Sequence, residues 1–164
     1  MSAYTQLPKL VRVPPERLRS ILLSQPTEEK LAVIDVRDSD HIGGHIKSSR
    51  HVPSGTLNYT APELVRTLQG AEKVVFHCAL SQERGPSAAI KYIRERERLM
   101  GPESVAKEAL WIDDGEPAER DGKGAVLRQQ VYVLDGGFVR WQQEYGTDER
   151  LTENYNKQLW EQGF

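Results

Sequence analysis

The chain has 164 residues, 38% hydrophobic and 28% charged, the composition of one globular domain rather than a disordered tail. Lysine and arginine total 22 against 24 acids, a net charge of -2, which excludes the overall basic footprint of a nucleic-acid binder and leaves room only for a local basic pocket. No apolar run approaches the roughly 20 residues of a membrane-spanning helix, and the single cysteine excludes an internal disulfide or a paired-cysteine zinc or redox site.

Taken in chain order, short strand signals alternate with helices. Residues 1–15 carry no apolar core of a secretory signal; with a lone thiol, the expected location is a reducing one, cytoplasmic or nuclear. Residues 10–13 give a weak strand signal. Pro14 and Pro15 open a helix carrying Leu18, Ile21 and Leu22, and Pro26 follows its end. Residues 31–36 (LAVIDV) are apolar without alternation, the pattern of a strand covered on both faces. Residues 50–53 are a second weak strand. Thr60 and Glu63 have capping-box spacing, Leu64, Val65 and Leu68 form an apolar stripe, and Gly70 ends it. Residues 73–78 (KVVFHC) read as a strand. Gly85-Pro86-Ser87 starts a helix that buries Ala89, Ile90 and Ile93 and stops at Gly101. Its charged half, Arg94-Glu95-Arg96-Glu97-Arg98, reads as a solvated face. Residues 102–130, with Asp113-Asp114-Gly115 and Asp121-Gly122-Lys123-Gly124, read as a surface insertion. Residues 131–134 are a strand and 137–144, with Phe138 and Trp141, a helix. Residues 147–164 read as a closing helix docked through Tyr155, Leu159 and Trp160.

This alternation predicts a single α/β domain over residues 1–164, a parallel sheet with helices on both faces. In such sheets ligands bind beyond the carboxyl ends of the strands. Those ends hold Asp35 and Arg37, His77 and Cys78, and Gly136-Gly137. Arg84 lies six residues after Cys78, directly before a helix, with Ala79, Leu80, Ser81, Gln82 and Glu83 between them. A loop of this kind turns successive backbone N–H groups inward, with the positive end of the helix dipole behind them. Arg84 can add two parallel charge-assisted bonds to a tetrahedral oxyanion. The same field favours the thiolate of Cys78, placed beneath a bound phosphate for in-line attack. Asp35 and Arg37 read either as a structural ion pair or as support for the site. His77, adjacent to Cys78 on a strand, faces the opposite side.

At this point the sequence resembles a family. His77-Cys78, five residues, then Arg84-Gly85-Pro86 resembles the signature of the rhodanese-fold phosphatases typified by the cell-division-cycle dual-specificity enzymes. Val33-Ile34-Asp35-Val36-Arg37 followed by Gly43-Gly44-His45-Ile46 resembles the rhodanese N-terminal motif. Val133-Leu134-Asp135-Gly136-Gly137-Phe138 with Trp141 resembles its C-terminal motif. The resemblance implies a rhodanese-like, five-stranded parallel sheet. It also implies a tyrosine or dual-specificity protein phosphatase that needs no metal or cofactor and works through a phospho-cysteine intermediate. Cys78 would be the nucleophile, Arg84 the transition-state clamp, the backbone N–H groups of residues 79–84 the oxyanion cradle, and Glu83 the general acid. The loop interior is most like small, catalytic-domain-only members from fungi and plants.

The same family includes arsenate reductases, because arsenate mimics phosphate; under that reading glutathione or a glutaredoxin supplies a second thiol. A third reading is a non-catalytic binding module, against which the retention of both Cys78 and Arg84 argues. Sulfurtransferases of this fold have a loop one residue shorter. The implied partners are a phosphoprotein or small oxyanion, with no nucleic acid and no membrane. Two departures stand out: Ala79 replaces a glutamate found directly after the cysteine in the cell-cycle enzymes, and their regulatory extension and basic tail have no counterpart here.

Overall fold

The computed structural model describes residues 10–107 and 117–163. Five strands, β1 (Val11–Val13), β2 (Leu31–Asp35), β4 (Arg50–His51), β5 (Lys73–His77) and β6 (Gln130–Leu134), form one sheet in the order β1-β6-β5-β2-β4. Every pairing in it is parallel. All five strand signals are therefore strands, including the two weak ones at the sheet edges. The register sets Asp35 beside His77, so the carboxyl ends of the two central strands are level.

Helices cover both faces. On one, α2 (Leu57–Thr67) and α3 (Arg84–Met100) pack against Ile34, Val74, Phe76 and Cys78 through Leu64, Val65, Ala89 and Ile93. On the other, α1 (Pro15–Leu23) and α4 (Gly137–Tyr145) bury Leu18, Ile21, Phe138 and Trp141 against Val33 and Val75. Each such aliphatic or aromatic side chain contributes about 1.5–3 kcal/mol when withdrawn from water. No helix of the described residues is long and apolar enough to cross a membrane.

Three local expectations are corrected. The capping box at Thr60 and Glu63 does not form. A 3-10 turn at Ser54–Thr56 leads directly into α2, so Thr60 sits one turn inside the helix. Its hydroxyl donates back to Thr56 O, and Glu63 pairs with Arg66. The charged half of α3 is not wholly solvated either. Arg96 is fully buried, donating to Ser104 O at 3.0 Å and Val126 O at 2.6 Å. The predicted insertion is thereby tied down at its flanks, where Ser104, Val105, Ala125, Val126 and Gln129 are buried; Asp113-Asp114-Gly115 lies outside the described residues. The closing segment is a short strand, β7 (Thr152–Glu153), antiparallel to β3 (His45–Ile46), followed by a five-residue helix, α5 (Lys157–Glu161). The docking residues nevertheless engage: Trp160 packs on Phe138 and donates to Gly43 O at 2.8 Å, and Tyr155 donates to Gln142 at 2.7 Å.

Candidate active site

Cys78 follows β5 directly and is buried, 3% exposed. The chain then curls back into α3, and two backbone amides converge on the sulfur. Ser81 N–H donates to Cys78 Sγ at 3.2 Å and Gly85 N–H at 3.3 Å. The second donor lies one residue beyond the predicted cradle, because Gly85 is already in the first turn of the 17-residue α3, whose dipole adds positive potential at the sulfur. Ser81 reaches this geometry with φ of 56°, a left-handed conformation that costs a non-glycine residue of order 1 kcal/mol. Arg12, from the edge strand β1 on the far side of β6, donates to its carbonyl at 2.8 Å.

The loop's carbonyls are turned the other way. Phe138 N–H donates to Cys78 O and Val139 N–H to Ala79 O, each at 2.9 Å. The N-terminus of α4 thus satisfies the acceptors while the N–H side stays inside. This close approach explains Gly137, which has φ of 61° and where an added Cβ would meet Ala79 O and lie 2.7 Å from Cys78 O.

Leu80, Gln82 and Glu83 project from the crest of the loop, exposed. Glu83 precedes α3 and lines, with Arg84, Ser54 and Lys91, a cavity of about 210 Å³ between the starts of α2 and α3. The larger cavity, about 570 Å³, opens beside Leu31 and Val33 at the other end of β2, away from the sulfur.

Arg84 has partners that the sequence reading did not identify. Its Nη1 and Nη2 donate to the two carboxylate oxygens of Asp40 at 2.7 and 2.6 Å, and Nη1 also reaches Asp38 at 3.3 Å. Asp38 is anchored by Ser54 Oγ at 2.6 Å and Gly55 N–H at 3.0 Å. Hydrogen bonding from Arg84 lowers the pKa of Asp40, and the Ser54 hydroxyl is the main cause of the lowering at Asp38. The signal was present: both acids follow β2, whose carboxyl end borders the site.

Asp35 and Arg37 form a buried ion pair, with Arg37 Nη2 2.7 Å from Asp35 Oδ2. Arg37 also donates to Gly44 O at 2.9 Å and covers the Phe138 ring, 4.3 Å from its centroid. Burial opposes ionisation of Asp35, but the charge of a protonated His77 and the hydrogen bonds from Arg37 outweigh it and lower the pKa to about 2. Burial pushes His77 itself down, so near neutral pH Arg37 carries that stabilisation. His77 lies against the Phe138 side of the sheet, opposite Cys78, as the strand alternation predicts. Asp35, Arg37 and His77 thus brace the strand ends and do not line the sulfur's pocket.

Comparison with known proteins follows the same outline. The family model of the rhodanese-like domain matches residues 19–144. The chain is 37% identical over 143 residues to the CDC25-like phosphatase YCH1 of Saccharomyces cerevisiae, covering 80% of this chain and 79% of that protein. It is 34% identical over 141 residues to the dual specificity phosphatase ibp1 of Schizosaccharomyces pombe, covering 86% and 94%. Over 67 residues, 40% of this chain and 52% of the relative, it is 45% identical to arsenate reductase 2.2 of Oryza sativa. The solved structure of Ygr203w, a yeast protein tyrosine phosphatase of the rhodanese family, superposes with a TM-score of 0.64 at 31% identity, covering 96% of this chain and 99% of that one.

Proposed function

The chain belongs to the rhodanese-like domain family, and from that membership we propose that it is a cysteine-dependent protein phosphatase of the tyrosine or dual-specificity type. The observation that carries this reading is the convergence of Ser81 N–H and Gly85 N–H on Cys78 Sγ at the start of α3. Donors fixed by the fold stabilise negative charge without reorganising, usually the largest single contribution to such catalysis.

Cys78 attacks phosphorus in line as the bond to the substrate oxygen breaks, giving a phospho-cysteine. Glu83, exposed and adjacent to Arg84, donates the proton that the leaving oxygen needs. Water then attacks phosphorus, Glu83 takes its proton, and phosphate departs with Cys78 restored as thiolate. Arg84 grips equatorial oxygens through both steps. No cofactor enters this sequence, and the substrate is a phosphoprotein whose residue reaches a buried sulfur.

Similarity to a plant arsenate reductase supports a second reading on the same residues. There Cys78 bonds to arsenic as water leaves, and glutathione attacks the adduct. A Cys78–glutathione disulfide then forms as arsenite departs, and a glutaredoxin reduces it. One comparison decides between them: hydrolysis of an aryl phosphate against glutathione-dependent arsenate reduction by the same purified protein. Phosphate release without added thiol supports the phosphatase. Arsenite production without phosphatase activity overturns it.

A further inference from the structure

An arginine carries five N–H donors arranged as two usable forks, one formed by the two terminal nitrogens and one by Nε with the adjacent Nη2. In this site Asp40 occupies the terminal fork at 2.7 and 2.6 Å, and Asp38 takes a further Nη1 donor at 3.3 Å. Three donors are used. The two that remain without a partner among the described residues, Nε–H and one Nη2–H, lie side by side on the other edge of the same planar group.

Both carboxylates are themselves held. Asp38 N–H donates to Asp40 Oδ1 at 2.9 Å, and the Asp38 carboxylate is pinned by Ser54 and Gly55. Arg84 is a third exposed, so a side chain with this many rotatable bonds would otherwise sample many positions at the mouth of the cradle. The acids stand on the loop after β2 and the arginine at the start of α3, so the arrangement joins two separate elements across the site.

We propose that Asp40, seated by Asp38, is the positioning residue of Arg84: it holds the guanidinium by one fork and leaves the other aligned for two oxygens of the bound oxyanion. The proposal rests on the oxyanion-binding reading of the Cys78 loop, though not on which oxyanion is turned over. It assigns a role to two residues outside the Cys78–Arg84 loop, supplied by the segment after β2. A carboxylate that merely competed with substrate for Arg84 would behave in the opposite way, since its removal would tighten binding.

The test uses the full chain, with orthovanadate as the probe and alkylation of Cys78 by iodoacetamide as the readout. Asp40→Asn keeps an acceptor for Asp38 N–H, so the loop retains its internal bond. Protection of Cys78 is expected to require more orthovanadate in Asp40→Asn, with turnover of an aryl phosphate down on the order of 10²-fold, the scale of a misplaced reacting group. A loosened loop would also weaken protection and would expose the buried Cys78, but it would lower the urea midpoint as well, and the midpoint of Asp40→Asn is expected to match the parent. Asp40→Glu, which restores the carboxylate, is expected to recover part of the protection.

In an Arg84→Lys background there is no fork to align, and Asp40→Asn is expected to add little further loss. Equal protection of the parent and Asp40→Asn, tighter protection in the variant, or an undiminished Asp40 effect in the Arg84→Lys background would each overturn the positioning role while leaving the site reading intact. Failure of orthovanadate to protect the unmodified chain would instead remove the oxyanion site, and this proposal with it.

Discussion

The backbone N–H of Phe138 donates to the carbonyl of Cys78 at 2.9 Å, so the helix after β6 shapes the loop after β5. Gly137 makes this approach possible, with φ of 61° and no room for a Cβ beside Ala79 O. Gly137→Ala is expected to cost about 1–3 kcal/mol from backbone conformation alone and to abolish turnover by displacing the loop. Gly85→Ala, whose Cβ would meet nothing closer than 3.5 Å, is expected to fold normally. Urea denaturation of the two variants checks the contrast.

Cys78→Ser is expected to leave stability within about 1 kcal/mol of the parent while removing all turnover. A serine hydroxyl is hardly ionised near neutral pH, so the loop's N–H groups have no anion to present as nucleophile. Appreciable phosphate release by this variant would argue against a covalent intermediate.

Arg84→Lys preserves the charge and loses the planar fork. A fall of about 10²–10³ in turnover is expected, the usual consequence of removing a preorganised donor. Rapid-quench kinetics of phospho-cysteine formation would measure the loss directly.

The Asp35–Arg37 pair predicts an acid-sensitive stability. The folded pKa of Asp35, about 2, lies below its ordinary 3.8, so its contribution is fully present above about pH 4. It is lost as the pH falls toward 2, by roughly 2 kcal/mol. Asp35→Asn strands the buried Arg37 charge and is expected to cost about 3–5 kcal/mol near neutral pH. The stability gap between parent and variant, followed by urea melts from pH 6 downward, should narrow below pH 4; a gap that stays constant would dissociate Asp35 from this titration.

Arg96→Ala removes the donor to Val126 O and one of the two donors to Ser104 O, which keeps the Gln129 N–H. The Val126 carbonyl is left without its partner, a loss of about 1–3 kcal/mol. Limited proteolysis is expected to cut residues 117–130 sooner in this variant, ahead of any site within β5 or the first turns of α3.

Periodicity and punctuation were enough to place the five strands and the start of α3, because continuous β-branched runs and the Gly-Pro pair act locally. The segment Cys78 to Arg84 likewise read as a loop between a strand end and a helix start, and in the structure its Ser81 N–H and the following Gly85 N–H turn inward to the sulfur. What local signals could not carry was pairing at a distance. The bonds of Asp40 to Arg84 span 44 positions, and Arg96 reads as solvated until its carbonyl partners, 8 and 30 positions away, fold over it. Charged side chains look alike along a sequence. Only packing decides which are desolvated, and desolvation is what turns a charge into a structural tie or a positioning device.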